Sequence, residues 1–159
     1  MERLKKLEDV CQPDERNRNR YDINHSTGAV TQTSIGSIYA VVEGIRLNDN
    51  VPDDVRSHFE VARNLALYSW FVYSFNEVAA MQAMASLEMA ARKKTGEDET
   101  AFKNLLDKLF QGRQLAPDLS LAKAVSTHRN KLAHGSTMLT GQGIGFVREC
   151  AELINELFS

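Results

Sequence analysis

The sequence predicts an all-α fold, and three observations carry that expectation. Apolar residues recur at helical spacing in several segments. No alternating strand pattern persists anywhere in the 159 residues, and the chain from Asp53 to Lys94 contains neither Gly nor Pro. Each helix must bury its apolar stripe against another, so the expected architecture is a bundle of four main helices plus short N-terminal helices. The length suits one domain with a real core. Residues 1–50 are expected to form an arm and short helices, and residues 54–158 the bundle.

Taken in order, residues 1–10 place Leu4, Leu7 and Val10 at i, i+3 and i+6, the pattern of a short amphipathic helix. Gln12 to Ser34 is polar and without periodicity, with Arg16, Arg18 and Arg20 interleaved with Asn, and reads as an arm or loop. From Ile35 to Leu47 the apolar content returns, and Ile38, Val42 and Ile45 suggest a helix that tolerates Gly36 and Gly44. Asn48 to Asp53 is a stop-and-start signal, with Asp53 as the expected cap and Asp54 in the first turn of the next helix.

That next helix is expected to run to Lys94. Its middle, Ala66 to Phe75, is apolar all round except for Ser69 and Ser74, as in a helix buried on every side. Tyr68 to Phe75 has strand-like propensity, but helical flanks override it and leave room for a bend. In the second half Met81, Met84, Leu87 and Ala91 keep a stripe best read as adaptable core. Glu88 and Arg92 stand at i and i+4, the spacing of a surface ion pair.

Thr95-Gly96 breaks the helix, and Phe102, Leu105, Leu106, Leu109 and Phe110 form a short amphipathic one that stops at Gly112. Pro117 and Asp118 open the penultimate helix, with Asp118 as its cap. Gly135 ends it, glycine being the residue that leaves a helix through the left-handed region without steric cost. Gly141, Gly143 and Gly145 read as a hinge; a phosphate-loop reading fails for want of a preceding strand and a Lys-Ser/Thr pair. Phe146, Val147, Cys150, Leu153, Ile154 and Leu157 line the final helix.

Composition narrows the function classes. A net charge of −2 offers no global basic field, so any nucleic-acid contact must be local. Cys11 and Cys150 are far apart and lack metal-ligand spacing, which favours free thiols in a reducing compartment. The charged N-terminus lacks the apolar run of a signal peptide, and no stretch has the length of a membrane span. A cytoplasmic location is expected, and neither a metal nor an organic cofactor is indicated. His58 and His128 have no metal-spaced companions and receive no role.

The chemistry is expected in Thr127-His128-Arg129-Asn130-Lys131-Leu132-Ala133-His134-Gly135. Asn130 and His134, at i and i+4, share one helix face, and Arg129 lies about 100° round with a side chain able to lean across. The helix C-terminus carries the negative pole of the dipole and favours cations. An imidazole near neutrality can give or take a proton, and a guanidinium can hold a phosphate at two points. The plain alternative is that Arg129 and His134 are ordinary cations stabilising a helix end. Arg20 to His25 repeats the spacing, but without the polar neighbour and outside any helical pattern.

Arg129-x4-His134, with Asn130 directly after the arginine and Ala-His-Gly at its close, resembles the signature of the HEPN superfamily. The similarity covers roughly residues 54–158 and does not extend to the first fifty residues. It implies a helical bundle whose Arg-x4-6-His helix lies late in the chain, before a closing helix. It further implies a homodimer that brings two copies of the motif together, acting as a metal-independent endoribonuclease. Arg129, Asn130 and His134 would be catalytic, with Glu88 facing inward to orient Arg129. Many such proteins are toxins or phage-defence effectors, so an antitoxin or sensor partner is a further expectation. Two other readings stand beside it. One is a non-catalytic HEPN-like module that binds RNA, nucleotide or protein; the other is a structural helical protein using Tyr68 to Phe75 as its contact surface.

Overall fold

The computed structural model describes residues 3–24, 26–116, 119–134 and 142–159. These residues are predominantly helical: seven α-helices, a single 3-10 turn and two small antiparallel ribbons. No helix among them is long and apolar enough to cross a membrane.

The N-terminal region departs from expectation. Over residues 3–10 there is, in place of the expected amphipathic helix, one 3-10 turn, Leu7–Asp9, and Leu4 and Leu7 are almost fully exposed; Met1 and Glu2 lie outside the described residues. An isolated helix of that length is marginal in water, and among the described residues no surface receives its apolar stripe. Gln12 to Ser34 is likewise built rather than free: it holds α1 (Glu15–Arg18) and a ribbon of β1 (Tyr21–Ile23) and β2 (Val30–Gln32), with Asp22 opposite Thr31. The competing Arg20-to-His25 spacing falls on this ribbon, and His25 lies outside the described residues.

Local polar chemistry explains why this stretch docks. Asp14 caps α1 by accepting from the Arg16 backbone N–H, and its other oxygen accepts from Tyr73 N–H (3.2 Å). Asn17, fully buried, donates to the carbonyls of Ser69 (2.8 Å) and Trp70 (3.0 Å). The Arg16 guanidinium pairs with Asp14 and lies 4.4 Å over the Tyr73 ring. The side-chain hydrogen bond from Arg16, with the Arg16 and Tyr73 amides, pulls the Asp14 carboxyl down to about 2 against the opposing effect of burial.

A reciprocal Ser34–Ser37 capping box starts α2 (Ile35–Glu43), which ends at Gly44 rather than at Leu47. Asp53 proves to be the first residue of α3 (Asp53–Tyr68), with Pro52 before it; it pairs with Arg56 instead of capping.

The single helix expected from 54 to 94 is two, α3 and α4 (Phe75–Thr95), folded back on each other. Lys93 meets Asp54 (2.7 Å), and His58 Nδ1 meets the Ser86 hydroxyl (2.8 Å), so the start of α3 lies beside the end of α4. No Gly or Pro causes the break. Side chains take over the backbone groups that a continuous helix would have used. The Ser69 hydroxyl donates to the Ala66 carbonyl (2.7 Å), the Asn76 amide donates to the Tyr73 carbonyl (2.9 Å), and Asp14 accepts from Tyr73 N–H. Trp70 and Ser69 are buried in the turn, while Tyr68 is half exposed. Small side chains let the two helices approach: Ala62, Ala66, Ala79, Ala80, Ala83 and Ala90 are fully buried. Met84 and Leu87 join the core with Phe59, Leu106 and Ile154, whereas Met81 faces outward.

Gly96, in the left-handed region at φ 69°, terminates α4 as expected. Next come α5 (Phe102–Leu109) and a second ribbon, β3 (Gln114–Ala116) with β4 (Leu119–Ser120). Pro117, Asp118 and Gly135, assigned as helix start, cap and stop, lie outside the described residues. The Ser120 hydroxyl accepts from Lys123 N–H (3.2 Å) at the start of α6 (Leu121–Ala133). Here α6 packs on α5 and α4, and α7 (Gly143–Leu157) packs along α4. Gly143 and Gly145 therefore belong to a helix, not to a hinge, while Gly141 lies outside the described residues. Gly143 is buried where a Cβ would collide with the Asn76 backbone, which is why the first turn of α7 can lie against the start of α4. Cys11 is exposed and Cys150 buried, both as free thiols, and burial pushes the Cys150 thiol up to about 12.

Gly143→Ala is expected to destabilise by about 1–3 kcal/mol through overpacking. Gly145→Ala, with nothing near its Cβ, should leave stability unchanged or raise it by up to about 1 kcal/mol; urea melts of both compare them. Asp14→Ala should cost about 1 kcal/mol as a lost cap. Because the folded carboxyl titrates near 2 rather than 3.8, the advantage over Asp14→Asn is full above the unfolded value and lost as pH falls through the folded one.

Candidate functional site

The last turns of α6 place the predicted residues in two groups. Arg129, itself exposed, leans toward α4 and α5: its Nη2 lies 3.0 Å from Glu88 Oε2 on α4, and its guanidinium sits 5.9 Å over the Phe102 ring at the start of α5. Asn130 and His134 turn outward and are exposed. The His134 backbone N–H donates to the Asn130 carbonyl (3.0 Å), so the two stand one helical turn apart on one face. No side-chain hydrogen bond joins Arg129, Asn130 and His134 to one another among the described residues.

Glu88 is a shared carboxylate. Its Oε1 accepts from Arg92 Nη2 (2.6 Å) and its Oε2 meets Arg129, with only 17% of the Glu88 side chain exposed against 44% for Arg129. The Glu88–Arg92 pair at i and i+4 is therefore part of a three-membered cluster carrying one net positive charge. Two guanidiniums use different oxygens of one carboxylate, which fixes the carboxylate plane and leaves other N–H edges of Arg129 for an anion. The pair adds little to stability at this exposure, and its effect lies in orientation.

The helix itself carries an excess of basic residues. It holds Lys123, Arg129 and Lys131 and no acidic residue, in a chain whose net charge is −2. A local field of that kind suits a phosphate backbone.

Sequence reasoning passed over three contributors. Phe102 lies beneath Arg129, and nothing in its spacing announced it. Arg92 was visible as a partner of Glu88 but not as part of a larger cluster. His128, left without a role, stacks on Phe146 of α7 with ring centroids 4.0 Å apart and planes 15° from parallel, and its buried Nε2 has no hydrogen-bond partner among the described residues. Burial lowers its pKa, and Lys131 acts the same way, against the opposing pull of Glu77 and Glu149. This stack ties α6 to α7 directly behind the exposed face.

No group of three or more His, Cys, Asp or Glu side chains could hold a metal ion among the described residues. No protein-family model matches the chain, and no curated protein or solved structure matches it either.

The His128 stack makes a pH prediction. The unfolded chain binds a proton more readily than the folded one, so this contribution is full above the ordinary value of 6.5 and falls away as pH drops below it. Urea melts at pH 8 and pH 5 should show that loss in the wild type, and His128→Gln should make the difference smaller. An unchanged difference would detach His128 from it.

Proposed function

We propose that this protein is a metal-independent endoribonuclease of the HEPN type, acting as a homodimer with a composite site. The observation that supports it most is the end of α6. There Arg129 is held by Glu88 at 3.0 Å while Asn130 and His134 stand exposed one turn apart. A C2 contact through this helix face would set two such ends opposite each other, each subunit contributing the same residues. The charge gathered on α6 supports a ribose–phosphate chain as the substrate class.

In this reading the nucleophile belongs to the substrate. His134 of one protomer accepts the proton of a ribose 2′-OH as its oxygen attacks the adjacent phosphorus. The bond from phosphorus to the 5′-oxygen breaks, and that oxygen takes a proton from an imidazolium, for which the partner's His134 is the candidate. Arg129 offsets the charge that builds on the non-bridging phosphoryl oxygens. Asn130 donates a hydrogen bond that positions phosphate or imidazole. One product ends in a 2′,3′-cyclic phosphate and the other in a 5′-hydroxyl. The resemblance extends this reading to a toxin or phage-defence effector in the cytoplasm, controlled by an antitoxin or sensor protein.

A non-catalytic HEPN-like module that binds RNA, nucleotide or a partner protein is the second reading. It is favoured by the lack of any orienting partner for the Asn130 and His134 side chains among the described residues of one protomer. RNA bound with a salt-dependent affinity and never cut would select it.

Arg129→Ala and His134→Ala are each expected to reduce RNA cleavage at least 100-fold (on the order of lost electrostatic or acid–base catalysis) with wild-type circular dichroism and melting. Cleavage should persist in EDTA. Full activity in either variant, or activity lost on chelation, would contradict the mechanism.

A further inference from the structure

The ion pair that holds Arg129 continues beyond Glu88. Arg92 gives one guanidinium nitrogen to Glu88 Oε1 (2.6 Å). Its other terminal nitrogen donates to backbone carbonyls of the loop between α4 and α5: Glu97 (3.2 Å), Thr100 (3.1 Å) and Asp98. Arg92 is thus gripped at both ends of its fork, by the loop and by the carboxylate, and its side chain is only 26% exposed. The loop also closes on itself, since the Thr100 hydroxyl donates to Glu97 (3.0 Å) and Lys108 pairs with the same carboxylate.

This arrangement has an electrostatic consequence. A lone glutamate beside Arg129 would be free to turn both oxygens onto that guanidinium, covering its N–H edge and cancelling its charge. With Arg92 holding Oε1, only Oε2 is left for Arg129, and the cluster keeps a net positive charge toward solvent. A guanidinium is suited to this task because its planar fork reaches carboxylate and carbonyls together; an ammonium cannot span both in the same way.

Resting on the reading of Arg129 as the phosphate-holding group, we infer that Arg92 is a positioning residue. By clamping Glu88 it orients Arg129 and preserves the arginine's charge for a phosphate. The α4–α5 loop is thereby part of the support of the site. Arg92 touches no substrate; it acts through Glu88.

The test is a double-mutant cycle in the full chain, with Arg92→Ala, Glu88→Gln and the double variant. The probe is a 2′-deoxy oligonucleotide, which the proposed mechanism cannot cut. Arg92→Ala is expected to weaken binding on the order of tenfold, the size of one strong charge-assisted contact. Glu88→Gln added to it should restore most of the loss, because a neutral amide cannot cancel the Arg129 charge. A merely structural role for Arg92 predicts no such rescue. Nitrogen-15 relaxation of the Arg129 Nε–Hε group supplies a second readout, independent of any nucleic acid: held by one carboxylate oxygen in the wild type, and more ordered in Arg92→Ala, where Glu88 closes on it with both oxygens. Arg92→Lys, expected to move both readouts in the same direction by less, serves if Arg92→Ala does not fold. A double variant that binds no better than Arg92→Ala, or an Arg129 side chain equally ordered in both proteins, overturns the inference. Wild-type protein that cuts no RNA while rescue and relaxation behave as expected supports the positioning role and contradicts the nuclease.

Discussion

One carboxylate joins the parts of the molecule on which the site depends. Glu88 stands on α4, a helix with buried residues from Asn76 to Ala91 and therefore with little freedom to shift. From there it reaches Arg129 on α6 and Arg92, which is itself anchored to the loop leading into α5. The orientation of Arg129 is thus set by the core, although the guanidinium lies near the surface. Asn130 and His134 have no comparable support among the described residues of one protomer. That contrast fits a site completed across a two-fold axis, where the second copy would supply what the first lacks.

The α3–α4 hairpin makes this arrangement possible, and polar side chains set its turn. The Ser69 and Trp70 carbonyls accept from Asn17, Tyr73 donates its N–H to Asp14 and accepts from Asn76, and the Ser69 hydroxyl donates to the Ala66 carbonyl, so these polar groups stay paired where the backbone leaves the helix. The N-terminal segment is a clasp on that turn. Its Asp14 and Asn17 reach residues more than fifty positions away in the chain. A continuous helix from 53 to 95 would carry Glu88 far from the start of α3 and leave the alanine faces without a partner.

Much of the helical layout was legible because it rests on local signals. Gly96 stops α4 through positive φ, Phe102 to Leu109 is amphipathic, and the aliphatic stripe of α7 follows its period. The errors fall where long-range contacts decide. Periodicity across residues 66–75 could not reveal that Asp14 would satisfy Tyr73 N–H, so two helices read as one. Gly143 read as a hinge because its close contact is with Asn76, distant in sequence. Leu4, Leu7 and Val10 have helical spacing but no surface to pack on, and periodicity alone cannot supply one. At the site, the spacing of Arg129, Asn130 and His134 on α6 was readable from helix geometry. The shared use of Glu88 by two arginines, the Phe102 ring beneath one of them and the His128–Phe146 stack were not, since each joins two helices.

The central claim is that the end of α6 breaks a ribose–phosphate linkage by turning the substrate's own 2′-hydroxyl on its neighbour. The most direct measurement compares an RNA oligonucleotide carrying one mapped cleavage site with the same oligonucleotide bearing a single 2′-deoxyribose 5′ to that bond. The account predicts that the all-RNA strand is cut to a 2′,3′-cyclic phosphate and that the substituted strand is bound but intact at that position. Cleavage of the substituted bond at a similar rate would contradict it.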